Sequence, residues 1–235
     1  LEGRSELRSV YGVPVVRIPL RKPSRRRVLP TRAFGTHDAL WRYVVQRAGE
    51  LHEQGGAVLI GTDSVADSQS LSARLGAAGI AHVVLNARQN RHEAHVIATA
   101  GQTGRVTVAT SMAGRGTDIE LSEDVARRGG LHVMLCQANA SRRVDHQFTG
   151  RCARHAEPGS CETLLSLESA PILAVLPQWI TRWAARAAEI RPRWAGIALA
   201  RAALWWEERR RRWQRRQLRL QDEALEGQPM LGSGR

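Results

Sequence analysis

Two stretches of the chain carry residue types that could handle a polyphosphate. The first is Ser111–Asp118, where Gly114, Arg115, Gly116, Thr117 and Asp118 follow the β-branched run Val106–Ala109. Glycines let a backbone approach a phosphate or a neighbouring lobe closely, while arginine and aspartate supply a cation and a carboxylate. The second is Gln147–Arg154, which reads QFTGRCAR and sets Arg151 and Arg154 three residues apart behind Gln147. If Ser141–Arg154 is a helix with Ser141 at its N-cap, the two guanidinium groups share one face. Fixed forks of that kind suit an arginine finger, which stabilises charge on a transferring phosphoryl group. Each stretch also has a plainer reading: Asp118 as a loop cap, and Gln147, Arg151 and Arg154 as a solvated helix end.

Two other constellations carry less. His92-Glu93-Ala94-His95 places its histidines three apart instead of the four that H-E-x-x-H needs to share a face, and no third ligand is in view. It reads as a surface helix, so no metal centre is expected. Cys152 lies between the two arginines without a His-Asp pattern to activate it, and reads as a small packing residue.

The elements that must position these residues follow from periodicity. Val13–Ile18 predicts a strand, and the prolines and basic run of Leu20–Pro30 an extended linker. A helix is expected over Thr36–Gln54, a strand over Ala57–Ile60, a helix over Ser64–Ala78 with Gly79 as its C-cap, and a strand over His82–Leu85. A helix over Arg91–Ala100 then leads to strands Val106–Ala109, Leu131–Leu135 and Cys161–Leu167. Alternation of this kind implies an α/β fold, a parallel sheet with helices on both faces. Right-handed crossovers would bring Gly61–Ser64, Ala109–Asp118 and the Gln147–Arg154 helix to one cleft at the strand ends.

Composition bounds the partners. The 235 residues carry a formal charge of +13, from 35 basic against 22 acidic residues, and Lys22 is the only lysine. Such a balance favours acidic partners: phosphates, anionic lipid or nucleic acid. Cys136, Cys152 and Cys161 are an odd number with no C-x-x-C pair, which disfavours a disulfide framework or zinc site and fits a reducing compartment. No apolar run approaches the roughly 20 residues that span a bilayer. The sequence contains no G-x-x-x-x-G-K-[ST] phosphate loop and no D-E-A-D-type acidic strand end for magnesium.

Six of the seven tryptophans fall in the last 57 residues among dense arginine, where Gln178–Ile190 and Arg193–Glu226 predict two helices separated at Pro192. Three readings of this tail stay open: a scaffold packed on the lobe, a membrane-surface helix, or a nucleic-acid or acidic-partner site.

ATSMAGRGTDI and QFTGRCAR resemble motifs V and VI of the SecA family, the ATPase motors of bacterial protein export, which are similar to superfamily 2 helicases. GGLHV, SRRVDHQ, Val58–Ser64, Leu85–Arg88 and Val10–Pro19 are SecA-like in the same order. The resemblance implies a RecA-like second nucleotide-binding lobe. It divides the chain into an entering strand and linker over 1–30, the lobe over 31–168, and a helical Trp- and Arg-rich region over 169–235. It further implies ATP and Mg2+ as cofactors, held mainly by a Walker-bearing first lobe absent from this sequence. ATPase activity is then expected only when the two lobes are joined.

By the same resemblance Arg151 and Arg154 act as fingers, Asp118 and Gln147 sense the nucleotide, and Arg115, with Gly114 and Gly116, meets the opposite lobe. The implied partners are a SecY-type channel, unfolded preprotein and an anionic membrane surface. The implied location is cytoplasmic, peripheral at the inner membrane, and nucleic acid is not expected as a partner. Departures from the family pattern fall at the lobe interface. Ala153 and Ala156 stand where glycines are typical, His155 for glutamine, Glu157 for aspartate, Thr149 for arginine and Ser111 for asparagine, and Gln137 is nearest to an expected glutamate. They fit weaker coupling or an accessory, divergent member. The alternatives are a superfamily 2 nucleic-acid helicase lobe and a non-catalytic membrane- or partner-binding module that uses the basic tail.

Overall fold

The computed structural model describes residues 8, 12–16, 18–85, 95–110, 117–139, 142–177, 179–180 and 193–226. Short apolar, β-branched runs form its central strands: β3 (Val58–Thr62), β4 (His82–Leu85), β5 (Val106–Thr110), β6 (Leu131–Cys136) and β7 (Gly159–Ser166). They lie parallel in the order β7-β6-β3-β5-β4, each residue of β3 facing one of β5 and one of β6. Every residue of β3, β5 and β6 is buried, as expected of parallel strands covered on both faces.

The pleat divides the core in two. Val58, Ile60, Val106, Val108 and Met134 point to one face, which α1 (His37–Glu53) and α2 (Val65–Ala77) cover with Leu40, Trp41, Val44, Leu71 and Leu75. Leu59, Ala109, Val133 and Leu135 point to the other and meet Ile97, Ile119, Val125 and Phe148. Both covering helices start where a hydroxyl satisfies an orphan N–H. Thr36 accepts from the Ala39 amide at 3.1 Å and Ser64 from the Asp67 amide at 3.0 Å. Gly79, at φ 71°, turns the chain out after α2 as its sequence position predicts. Residues 95–98 are helical and run into a 3-10 turn at Thr99–Gly101, while 91–94 of the predicted helix lie outside the described residues. A short α3 (Glu123–Arg127), capped by Ser122, is not anticipated, although Ser-Glu-Asp is a helix-start signal.

The amino-terminal expectation needs correction. Among the described residues, 12–16 and 18 form no strand, and Val16 and Ile18 are exposed. The partner strand instead comes from within the basic run. Arg26–Val28, here β1, pairs parallel with Gly159–Cys161, and β2 (Arg32–Phe34) pairs with Leu164–Ser166. Pro30, which has no N–H to give the ladder, separates the two pieces. Because β1 and β2 already occupy the β7 edge, no ladder there is left for Val13–Ile18.

After β7 a short α4 (Ala170–Leu173) precedes the long α5 (Arg193–Glu226). Ala200 and Ala203 of α5 are buried against Leu165, Leu167 and Ile172, and Arg201 Nη2 donates to Thr31 Oγ1 at 3.2 Å. The stretch of α5 around Ala200–Ala203 therefore packs on the lobe, while Trp205, Trp206 and Trp213 are exposed. Most of the expected Gln178–Ile190 helix lies outside the described residues. Among the described residues no helix is long and apolar enough to cross a membrane.

A buried polar network joins β6, β7 and α1. His132 Nδ1 lies 2.7 Å from Ser160 Oγ and His132 Nε2 lies 3.1 Å from Glu162 Oε1, while Tyr43 Oη donates to Glu162 Oε2 at 3.2 Å. Burial opposes ionisation of Glu162, but the His132 and Tyr43 hydrogen bonds outweigh it and hold the carboxyl below the usual glutamate range. A depressed folded-state pKa adds stability above the unfolded value and loses it as the pH falls through the folded one. Glu162→Gln is expected to destabilise the fold at pH 7 by roughly 1–3 kcal/mol. In paired thermal melts that difference should shrink as the pH drops through and below about 4.3, the ordinary glutamate value.

Candidate functional site

The site is built around α6 (Arg142–Thr149), which the chain forms between β6 and β7. Its first turn is tied to the carboxyl ends of β3 and β6. Gln137 Nε2 donates to the Thr62 carbonyl, and Asn139 Nδ2 donates to Gln137 Oε1 and to Asp145 Oδ1, both at 2.9 Å. Its last turn is seated by Phe148, whose ring edge would lie 2.6 Å from a Cβ on Gly61 of β3. Only glycine at position 61 leaves room for that ring, so α6 rests directly on the middle of the sheet.

The sequence predicts a helix through Arg154, and the structure ends it at Thr149. Thr149 Oγ1 donates back to the Asp145 carbonyl at 2.7 Å, and the Arg151 and Cys152 amides reach the Phe148 and Thr149 carbonyls in 3-10 fashion. Ala153 then adopts a left-handed conformation, and a 3-10 turn runs over Arg154–Ala156. Arg151 and Arg154 consequently do not share a helical face. Arg151 is 7% exposed, with its guanidinium 5.6 Å from the centre of the Phe148 ring. Arg154 is on the surface, where Nε donates to the Gly150 carbonyl at 3.3 Å and Nη1 to Asp118 Oδ1 at 2.9 Å.

Asp118 is the meeting point of the two predicted stretches. Its second oxygen lies 2.9 Å from His155 Nε2, and the Ile119 amide donates to Oδ1 at 3.1 Å. Partial burial works against its ionisation, but the His155 and Arg154 hydrogen bonds and the Ile119 amide prevail, holding the carboxyl below the usual aspartate range. Gln147 is exposed on the last turn of α6. Gly114, Arg115 and Gly116 lie outside the described residues. The expected convergence is seen in part: Phe148 sits on Gly61, and Arg154 and His155 meet Asp118, while residues 111–116 lie outside the described residues. Thr62 and Gln137 meet the start of α6, whereas Asp118, Arg154 and His155 cluster beyond its other end. His155, Asn139 and Phe148 take part without being singled out from sequence as site residues, and only the adjacency of His155 to Arg154 signals its role.

The turn that presents Arg154 is strained. Ala153, His155 and Ala156 have φ of 56°, 52° and 63°, in the left-handed region that glycine occupies without cost. Two of the three are alanines standing where the sequence pattern described above has glycine. A non-glycine residue there carries roughly 1–2 kcal/mol of steric strain. Ala153→Gly and Ala156→Gly are each expected to stabilise the chain by about 1 kcal/mol, read as a rise of about 2–4 °C in melting midpoint. A lowered midpoint in both variants would contradict this account of the turn.

Comparison with known proteins places the chain in a family. A family model for the SecA P-loop domain matches residues 23–128 and 120–181. The chain is 42% identical over 228 residues to protein translocase subunit SecA 3 of Magnetococcus marinus, covering 95% of this chain and 35% of that protein. It is 43% identical over 228 residues to protein translocase subunit SecA 2 of Bordetella avium, covering 96% and 34% respectively. The chain thus spans about a third of the length of these relatives, and the similarity runs into the Trp- and Arg-rich region. Among solved structures, the Escherichia coli DEAD-box protein SrmB bound to RraA aligns with a TM-score of 0.47 at 18% identity, over 66% of this chain and 84% of that one. With a family model matching more than half of its residues, the chain belongs to the SecA family.

Proposed function

We propose that this chain is the second nucleotide-binding lobe of a SecA-type protein translocase motor, completing an ATP site whose phosphate loop comes from a complementary Walker-bearing lobe. The observation that carries the reading is the Asp118–Arg154 ion pair, which links the motif V stretch to the motif VI stretch at 2.9 Å. The donor set suits a polyphosphate: guanidinium groups bind phosphate oxygens through paired N–H donors. Among the described residues no group of three or more His, Cys, Asp or Glu gathers to hold a metal ion. By the resemblance to SecA, magnesium belongs to the complementary Walker-bearing lobe. Bound ATP with magnesium supplies the phosphoanhydride bond whose hydrolysis powers movement.

The roles of this chain's own residues follow. Arg154 is exposed and held by a carboxylate, so it can exchange Asp118 for a phosphate when a second lobe closes. Asp118, with His155 beside it, retains the guanidinium in place until then. Arg151, buried on Phe148, fixes the turn and adds positive charge behind Arg154. Gln147 faces outward from the adjoining turn and reports nucleotide state to the interface. Gly114, Arg115 and Gly116 meet the opposite lobe. The proposed partners are a SecY-type channel, unfolded preprotein and an anionic membrane surface, at the cytoplasmic face of the inner membrane. The two relatives named above are protein translocase subunits, which supports this assignment over a nucleic-acid helicase.

The test joins this chain to a Walker-bearing SecA first lobe and measures ATP turnover. Arg154→Ala is expected to lower turnover by on the order of 10³, as loss of other arginine fingers does. Unchanged turnover would remove Arg154 from the site. Stimulation by preprotein and channel supports the translocase, whereas stimulation by RNA or DNA alone would replace it with a helicase.

A further inference from the structure

The three cysteines do not have equal surroundings. Cys136 ends β6 in the core layer beneath α1 and α2, and burial pushes its thiol well up. Cys152 and Cys161 share the opposite layer, where Cys152 Sγ donates to the Thr149 carbonyl at 3.2 Å. The pleat of β7 explains the pairing, because Gly159 and Cys161 face the same side. Cys152 lies over that side: a Cβ on Gly159 would be 3.2 Å from the Cys152 Cβ. Glycine at position 159 therefore lets Cys152 settle onto β7 beside Cys161.

A cation and an entry route complete the arrangement. Arg26 of β1, the register partner of Gly159, donates from Nε and Nη2 to the Cys152 carbonyl at 3.3 and 3.1 Å. Its guanidinium charge favours a thiolate on either sulfur. Cys161 and Arg26 both line a cavity of about 530 Å³ that also borders Thr149, Thr163 and Trp205. The Cys152 side chain beside it lowers the Cys161 thiol, with Arg26 assisting against burial. The Cys161 side chain and burial together push Cys152 up.

We infer that Cys161 and Cys152 form a peroxide-sensitive dithiol, Cys161 the attacking sulfur and Cys152 the resolving one. The Cys161 thiolate attacks one oxygen of hydrogen peroxide. The O–O bond breaks, and the departing hydroxide takes up a proton to become water, leaving Cys161 as a sulfenic acid. Cys152 then gives up its thiol proton and forms the S–S bond while the Cys161 hydroxyl leaves as a second water. The two thiols lose two electrons and the peroxide gains them. The bridge closes a loop that contains Arg154 and ties its turn to β7. This chemistry belongs to the two sulfurs and does not depend on any nucleotide role for Arg154.

The full chain provides the test. Iodoacetamide labelling followed by peptide mass spectrometry should modify Cys161 about tenfold faster than Cys136, as its greater thiolate character requires. After hydrogen peroxide, tryptic digestion should yield a peptide pair linked through Cys152 and Cys161. Cys161→Ser should abolish that link, and Cys152→Ser should leave a sulfenic acid on Cys161 that dimedone traps. Equal labelling of Cys161 and Cys136 in the unmutated chain, or a peroxide product without the Cys152–Cys161 link, would overturn the inference whether or not the variants fold.

Discussion

The seat of the Phe148 ring on Gly61 is the constraint on which the site depends. A helix laid on a parallel sheet is normally held off by side chains on both surfaces. Here one surface has none at the crossing point, and a Cβ on Gly61 would lie 2.6 Å from the ring. That approach fixes the depth of the helix and stacks Arg151 over the same ring. It also sets where the chain leaves the helix. The Gln137–Asn139–Asp145 ties fix its other end, so neither end can slide without breaking buried polar contacts.

Beyond that seat, charge takes over from packing. Arg154 is on the surface and the backbone on either side of it is unfavourable, with left-handed φ at Ala153, His155 and Ala156. Asp118 offsets this by accepting from Arg154 and lying within hydrogen-bond distance of His155. An exposed ion pair contributes little to stability on its own. Its value here is positional: it aims a cation that the backbone would otherwise present poorly. A chain with glycines in this turn would hold Arg154 at less cost, and so would rely less on Asp118.

Much of this was legible in the sequence. The β-branched runs at Val58, His82, Val106 and Leu131 are strands, and Thr36 and Ser64 cap the helices they precede, because local capping and apolar runs are short-range signals. The family followed from motif residues, and its model matches the chain. The failures were long-range. Val13–Ile18 has the pattern of a strand, but the place beside β7 is taken by β1 and β2. Arg26–Val28 looked like linker because its charges masked an edge strand, in which only one side of the ladder needs a partner. Periodicity extended the motif helix to Arg154, whereas the hydroxyl of Thr149 and the turn at Ala153 stop it early. That error mattered, since it placed Arg151 and Arg154 on one face when one is buried and the other is not.

The interrupted edge beside β7 has a consequence for the behaviour of the chain in company. An edge strand offers a row of unpaired amides and carbonyls, a template on which another chain can add. Here that row is cut at Pro30 into two three-residue pieces, β1 and β2. The first is arginine-rich, and Arg201 of the long helix binds Thr31 beside the second. Neither piece is long enough or apolar enough to recruit a foreign strand. The lobe thus carries its own guard against sheet-to-sheet aggregation at the side where its basic segment enters.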